Sequence, residues 1–418
     1  MKFSSFGNSF SSKAGIVQLM DDLGSALSVN KHMLMLGGGN PGRIPEVQAL
    51  FRRRMHAILD DGDQFERLIG DYDPPQGESR FVAALAALLR RELGWSLGAG
   101  NIAVTNGSQS ASFMLFNLLG GHDDSGRPRN ILLPLTPEYI GYADQGVAAG
   151  MFTSNRPTIE HLEDNLFKYH VDFDNMVVGD DVGAICVSRP TNPTGNVLTD
   201  DEIEKLRGLT QRHDVPLIID NAYGTPFPEI VFTDATPVWD DDIILCMSLS
   251  KLGLPGVRTG IVIANEEIVR ALAGVNAIVN LTTGGFGAAL TVDMIESGEI
   301  LTVSRNIIRP FYLEKANRAV EWIQREFQGC EYRIHRPEGA IFLWLWFPGL
   351  PITTETLYER LKERGVLVIP GRYFFPGLGE EWQHMHECIR VTYSQSAEVV
   401  EKGIAIIAEE VRRAYDEA

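Results

Sequence analysis

Along the middle of the chain, short runs of apolar residues alternate with longer stretches in which apolar residues recur every three or four positions. The short runs predict buried strands, at 101–105, 131–135, 184–188, 216–220, 243–248 and 260–265. The longer stretches predict helices, among them 46–59, 79–93, about 108–119 and one that starts near Thr199. Nearly continuous apolar strands separated by helices are typical of a parallel sheet covered on both faces. We therefore predict an α/β fold with a mostly parallel central sheet.

After about residue 300 the pattern changes. A long helical stretch over 299–328 leads into the strand-like run IFLWLWF, a helix near 353–364, two more strand-like runs and a terminal helix. This order predicts a smaller α+β domain with some antiparallel pairing. We therefore divide the chain into a large α/β domain at 46–300 and a small α+β domain at 301–418. Residues 1–45 have few long periodic segments, and we expect them to pack against the small domain or a partner subunit.

Composition narrows the classes of partner. The 418 residues carry a formal net charge of −18, which disfavours a general nucleic-acid binder or a protein of anionic membrane surfaces. The N-terminus lacks the apolar core of a signal peptide, and the longest conspicuous apolar run is too short to span a bilayer. The four cysteines are scattered, without CxxC or histidines at ligand spacing. We expect a reduced, cytoplasmic protein with no metal, nucleic-acid or membrane partner.

A lysine comes shortly after the predicted strand 243–248, in the segment SLSKLGLPGVR (248–258). The carboxyl edge of a parallel sheet, where Lys251 would lie, is where α/β folds bind ligands. A lysine amine can form a Schiff base when its surroundings lower its pKa enough to leave it neutral. Ser248 and Arg258 flank the lysine with a hydroxyl and a cation that suit a phosphate. From this segment alone, a solvated lysine in a turn is an equally good interpretation.

Two other predicted strands end in polar residues at the same edge. Asp220 ends strand 216–220, where its carboxylate can face a protonated heterocycle, and Tyr223 follows three residues later. Asn192 lies in the loop RPTNPTGN after strand 184–188, where two prolines and a glycine favour a fixed, non-repetitive conformation. Taken alone, Asp220 is better interpreted as a cap, and the loop can also be a plain turn before a helix.

Two segments suit anions. TNGSQS (105–110) places Gly107 and Ser108 at the start of a helix, where backbone N–H groups and the helix dipole favour a phosphate. An ordinary helix cap explains that segment equally simply. Arg390 lies between apolar residues of the run ECIRVTY, either as a fork for a carboxylate or, more commonly, as a surface residue. Neither segment is decisive by itself.

The order of these segments along the chain resembles that of the fold-type I pyridoxal-phosphate aminotransferases. The resemblance runs from the N-terminus to about residue 415 and is greatest to the bacterial valine–pyruvate group. It rests on several long motifs, namely GGGNP (37–41), GDYDPPQG (70–77), TNGSQSA (105–111), PEYIGYAD (137–144), SRPTNPTGN (188–196), IDNAYG (219–224), CMSLSKLGLPG (246–256) and PEGAIFLWLWF (337–347). It implies the fold-type I architecture and pyridoxal 5′-phosphate as cofactor.

The resemblance also implies a role for each candidate residue. Lys251 forms the Schiff base with the cofactor and carries the proton between the substrate Cα and C4′. Asp220 pairs with the pyridinium N–H, Tyr223 and Asn192 bind the ring's 3-oxygen, and Tyr139 stacks on the ring. The phosphate is held by Gly107, Ser108, Gln109, Ser248 and Arg258. The substrate carboxylate is bound by Arg390, with Asn192, Gly38 and Gly39 beside it. Tyr72 reaches the phosphate of the partner subunit.

The activity implied is reversible transfer of an amino group from L-valine to pyruvate, in a homodimer with shared active sites that binds small amino acids and 2-oxo acids. Alternatives on the same fold are aminotransferases for alanine, kynurenine or aromatic amino acids, and a carbon–sulfur lyase. A pyridoxal-phosphate-binding regulator would need a DNA-binding helix-turn-helix, and the first 45 residues are too few and not basic. A simple scaffold would leave the lysine, aspartate and arginine series unexplained.

Overall fold

The computed structural model describes residues 2–4, 7–8 and 33–417, so the expected packing of the first 45 residues lies outside the described part for residues 9–32. Its helices span Pro45–Asp60, Gln64–Gly70, Ser79–Leu93, Ser108–Leu119, Asp200–His213, Glu266–Val279, Phe286–Ser297, Glu299–Val303, Arg309–Glu326, Thr354–Glu363 and Ala397–Asp416. A π-helical turn, Ser304–Ile308, joins two of them into one continuous rod. The helix expected near Thr199 begins there, because the Thr199 hydroxyl and the Glu202 carboxylate cap each other's backbone N–H.

Within the described residues, the larger sheet has eight strands. Its main path runs, in spatial order, Ile102–Thr105, Gly260–Ile263, Ile243–Ser248, Leu217–Asp220, Val182–Ser188, Pro128–Leu133 and Gly121–His122, and Phe152–Ser154 pairs with Pro128–Leu133. The central strands pair in parallel, as the apolar runs predict. Two strands differ: Gly260–Ile263 runs antiparallel to both of its neighbours, and Gly121–His122 pairs antiparallel with Pro128–Leu133. The α/β fold with a mostly parallel sheet is confirmed.

A second, six-stranded sheet has the order Ile369–Pro370, Cys388–Thr392, Phe342–Trp346, Arg333–His335, Leu166–His170 and Thr158–His161. Its last two strands come from the middle of the chain, which the sequence analysis assigned wholly to the large domain. Leu34–Met35 pairs in parallel with Val366–Leu367, so residues 33–36 pack against the C-terminal part. The division at residue 300 stays a prediction, and residues 158–170 belong to the C-terminal sheet.

The topology brings the polar loops together. The parallel strands that end at Ser188, Asp220 and Ser248 lie side by side, in register at Ser188–Asp220 and Asp220–Cys246. Because Gly260–Ile263 is antiparallel, the start of that strand lies between Thr105 and Ser248, at this same edge. The expected site residues of four different strands therefore meet at one end of the sheet. Among the described residues, no helix is long and apolar enough to cross a membrane.

Candidate active site

A cleft of about 540 Å³ lies at this edge of the larger sheet, facing the N-terminal segment and the C-terminal sheet. Twelve of the residues expected at the site line it, namely Gly38, Gly39, Ser108, Gln109, Tyr139, Asn192, Asp220, Tyr223, Ser248, Lys251, Arg258 and Arg390. Gly107 lies against Arg258 at the same end. Tyr72 lies elsewhere, with 79% of its surface exposed. In the part of the chain that the structure describes, no cluster of His, Cys, Asp and Glu can hold a metal ion.

Lys251 is held inside the cleft. Its Nζ donates to the Gly39 carbonyl at 2.6 Å and lies 5.2 Å from the centre of the Tyr223 ring. Burial, together with the positive charges of Arg390 and Arg258, lowers the pKa of Lys251 to about 8, against the opposing effect of Asp220. About a tenth of the amine is therefore neutral, and nucleophilic, at pH 7, far more than for an ordinary lysine.

Asp220 lies at the end of its strand, and each of its two carboxylate oxygens accepts one hydrogen bond. The Tyr142 hydroxyl donates to Oδ2 at 2.7 Å, and the Ala222 backbone N–H donates to Oδ1 at 3.1 Å. Burial raises the pKa of Asp220, while these hydrogen bonds and Lys251 favour the ionised form. A buried carboxylate of this kind suits a cationic N–H of a ligand.

One end of the cleft is formed by the start of helix Ser108–Leu119. Gly107 precedes it with φ of +93°, and no side chain caps the helix. A Cβ at Gly107 would lie 2.3 Å from Arg258 Nη2, so a glycine is required for the guanidinium to approach the helix start. Unpaired N–H groups and an arginine at a helix N-terminus are a suitable site for an anion.

Arg390 lies at the opposite end, 4% exposed. Nη1 donates to Asn192 Oδ1 and Nη2 donates to the Gly37 carbonyl, both at 2.7 Å, and the guanidinium lies 4.1 Å from the Phe342 ring centre. Its Nε is buried without a partner among the described residues. Burial lowers the pKa of Arg390 to about 10, which leaves it cationic at neutral pH. A buried cation with an unpaired N–H suits the carboxylate of a substrate.

Tyr223 and Tyr139 line the space between these two ends. Burial raises the pKa of both phenols, so each is a neutral hydroxyl at physiological pH. Sequence reasoning missed two neighbours, Tyr142 below Asp220 and Phe342 below Arg390. Tyr142 follows Tyr139 by three residues in PEYIGYAD, a spacing that could have suggested it. Nothing in the sequence marks Phe342, because it lies within a continuous apolar strand.

The family model for class I and II aminotransferases matches residues 48–407. In sequence the chain is 50% identical to the valine–pyruvate aminotransferase of Escherichia coli, over the full length of both proteins. In structure it is similar to the crystallised valine–pyruvate aminotransferase of Salmonella typhimurium, at 49% identity and a TM-score of 0.90, covering 97% of this chain and 100% of that one.

A more distant neighbour is the α-aminoadipate aminotransferase of Thermus thermophilus, which was crystallised with N-(5′-phosphopyridoxyl)-L-leucine. It shares 21% identity with this chain at a TM-score of 0.79, covering all of this chain and 98% of that one. At that identity the likeness concerns the fold alone.

Proposed function

Because the chain belongs to the class I and II aminotransferase family, we propose that it is a pyridoxal-phosphate-dependent enzyme that transfers the amino group of L-valine to pyruvate. The products are 3-methyl-2-oxobutanoate and L-alanine, and the reaction is reversible. The observation that carries the proposal is the 50% identity to a valine–pyruvate aminotransferase over the whole of both chains. The cleft supplies the chemical groups that such a reaction needs.

The residues of the cleft fit pyridoxal phosphate. Gly107, Ser108, Gln109, Ser248 and Arg258 would hold the phosphate, because the uncapped helix start and the guanidinium form an anion site. Asp220 would pair with the ring nitrogen. Tyr223 and Asn192 would bind the ring oxygen, with Tyr139 against the ring face. Bound there, the cofactor supplies an electron sink for the bonds of the substrate Cα.

The protein's own groups bind the substrate and move its proton. Arg390, which lines the cleft, would bind the α-carboxylate, and Asn192 and the Gly38–Gly39 backbone would fix its orientation. Lys251 Nζ would hold the cofactor first and, once released by substrate, would accept the proton from the substrate Cα and deliver it to the cofactor's C4′ carbon. Its lowered pKa suits both directions, since an amine that titrates near the working pH can act as base and acid.

The cleft favours a small apolar side chain. Of the described residues that line it, only Lys251, Arg258 and Arg390 are cationic, and each has a proposed role in holding cofactor or α-carboxylate. A second, distal carboxylate would lack a cation, and burying it would be costly. The sequence also has no lysine or arginine between Arg270 and Arg305, and 276–290 is apolar and glycine-rich. Valine, alanine and 2-aminobutyrate should therefore be better substrates than aspartate or glutamate.

We propose that the enzyme is a homodimer with shared sites. Five large apolar residues are exposed on two adjoining segments, Ile69, Tyr72, Ile278, Val279 and Leu281. We call them the apolar patch. The segments adjoin because Asn276 Nδ2 donates to the Pro75 carbonyl at 3.0 Å and to the Val104 carbonyl at 2.9 Å. A second copy would cover the patch, and Tyr72 would then face the partner's phosphate site.

The test of function is a comparison of kcat/KM for valine, alanine, 2-aminobutyrate, aspartate and glutamate, with pyruvate as acceptor. We expect the small apolar substrates to exceed the acidic ones, and the small ones to differ modestly, since one methylene is worth about 1–3 kcal/mol. An acidic substrate that equals valine would refute the apolar pocket. Absence of any valine reaction in holoenzyme of normal absorbance would refute the assigned substrate.

A further inference from the structure

Glu138 is a fully buried carboxyl group that the proposed chemistry does not use. It precedes Tyr139 in the motif PEYIGYAD and has no exposed surface. Its Oε1 accepts the Ser188 backbone N–H at 2.8 Å, and Oε2 accepts the Tyr139 N–H at 3.2 Å and contacts Ser188 Oγ. Among the described residues it has no ion-pair partner, so an ionised Glu138 would be an uncompensated buried charge.

From Glu138 a chain of side-chain contacts leads to Asp220. Ser188 Oγ touches Glu138 Oε2 on one side and lies 3.3 Å from the Tyr142 hydroxyl on the other. Tyr142 in turn donates to Asp220 Oδ2 at 2.7 Å. Ser188, Tyr142 and Glu138 are all buried, and Ser188 is in register with Asp220 on the neighbouring strand. Each group thus has one neighbour towards Glu138 and one towards Asp220.

The protonation state of Glu138 determines in which direction the hydrogen bonds between Glu138 and Asp220 are donated. Burial raises the pKa of Glu138 to about 8, and the negative charge of Asp220 also raises it, against the hydrogen bonds from Ser188 and Tyr139. At neutral pH the carboxyl is therefore mostly protonated. Oε2 is the oxygen in contact with Ser188 Oγ, so a proton on Oε2 can be donated to that hydroxyl, and the protonated oxygen keeps a lone pair for the longer hydrogen bond from the Tyr139 N–H. Ser188 then donates to Tyr142, and Tyr142 to Asp220.

With every donor pointing the same way, Asp220 receives hydrogen bonds and donates none, which favours its ionised form. If Glu138 were ionised, the Ser188 hydrogen would turn towards it and Tyr142 would lose its donor. Two carboxylates would then lie in one apolar region, where mutual repulsion disfavours the charge on Asp220. A protonated, neutral Glu138 thus favours the ionised form of Asp220.

We propose that Glu138 is a positioning residue that, in its neutral form, acts through Ser188 and Tyr142 to hold Asp220 ionised and directed at the cofactor's ring nitrogen. The inference rests on the proposed cofactor but not on the choice of substrate. Its measure is therefore the protonation of the ring nitrogen in the bound cofactor, read from the ¹⁵N resonance of holoenzyme loaded with ¹⁵N-labelled pyridoxal phosphate at pH 7.

Three variants interrupt or preserve the chain. Glu138→Gln keeps a neutral donor towards Ser188 and an acceptor for its N–H, so the ring-nitrogen signal and most of the turnover should be retained. Glu138→Met has a similar shape without hydrogen bonds, and Ser188→Ala breaks the chain in the middle. Both should move the signal towards that of a neutral pyridine and lower kcat by about two- to ten-fold, the effect of losing a hydrogen bond between neutral groups.

Glu410→Met is the matched control, because Glu410 is equally buried but lies in the C-terminal helix beside Arg360 and Arg364. It should lower the melting temperature and leave the signal unchanged. The proposal fails if Glu138→Met lowers only the melting temperature, or if Glu138→Gln moves the signal as far as Glu138→Met. Should Glu138→Met not fold, an unchanged signal in Ser188→Ala overturns it equally. A chain that binds no pyridoxal phosphate would refute the proposed function instead.

Discussion

Replacing Arg390 with lysine keeps the positive charge and removes the planar fork. In the structure this guanidinium bridges Asn192 Oδ1 and the Gly37 carbonyl, and it lines the cleft in which the ligand carboxylate would lie. An ammonium on a flexible stem cannot reach three acceptors set out in one plane. At least one acceptor, on the protein or on the substrate, is left without its charged donor.

The size of the loss follows from the number of contacts. A hydrogen bond to a charged group contributes about 1.5–3 kcal/mol, and about 1.4 kcal/mol corresponds to a tenfold change. Losing one such contact to the substrate lowers kcat/KM by about ten- to a hundred-fold. The α-carboxylate is common to every amino acid substrate, so valine and alanine should lose the same factor. Their ratio should stay unchanged.

The assay is the half-reaction of holoenzyme with each amino acid, followed by the absorbance of the bound cofactor. Arg258→Lys is the matched control, because it should weaken retention of pyridoxal phosphate at the other end of the cleft and leave saturation by valine largely unaltered. A loss below threefold in Arg390→Lys would refute the carboxylate role. A large change in the valine-to-alanine ratio would show that Arg390 contacts the side chain instead.

Three other outcomes follow from the cleft. Because the pKa of Lys251 is lowered to about 8, most of its amine is protonated below that pH. The rate at which apoenzyme recombines with pyridoxal phosphate should therefore rise about tenfold per pH unit up to pH 8 and then level off. A flat rate profile between pH 6 and 8 would contradict this. A Cβ on Gly38 meets no atom within 4 Å, so Gly38→Ala should fold normally. Because the Gly38 backbone is proposed to lie beside the α-carboxylate, kcat/KM for valine and alanine should fall by a similar factor, whereas a loss confined to valine would place Gly38 beside the side chain. Hybrid dimers of Tyr72→Ala and Lys251→Ala subunits should regain part of the activity, since one site in each hybrid has both residues intact; exchange of subunits without recovery would argue against shared sites.

The strand pattern predicted most of the larger sheet because buried strands in it are continuous apolar runs. The same property gives no information on whether a strand runs parallel or antiparallel to its neighbours. Gly260–Ile263 is buried along its whole length, and its antiparallel pairing depends on strands that are distant in sequence. Strand Thr158–His161 was missed because it is mostly exposed and polar, and Leu166–His170 pairs with a segment more than 160 residues away. Such partnerships have no local signal in the sequence.

The residues of the candidate site were easier to predict than the groups that hold them in position. Lys251 and Asp220 occur in motifs long enough to be distinctive, Arg390 was expected from its place in the order of the segments, and the structure brings all three to one cleft. The groups that hold them in place, such as the Gly37 carbonyl under Arg390, are common backbone or apolar atoms. They become informative only when residues 353 positions apart in sequence are seen to be in contact.

The apolar patch is built on the same backbone as the phosphate end of the cleft. Asn276 ties its helix to Val104, and the Gly284 N–H donates to Asn106 Oδ1 at 3.1 Å, one residue before Gly107. In the proposed dimer, subunit association at the apolar patch and cofactor binding at the phosphate site would therefore stabilise the same backbone segments. Linkage is reciprocal, so each event must strengthen the other. Dilution would release cofactor as it separates subunits, and excess pyridoxal phosphate would hold them together.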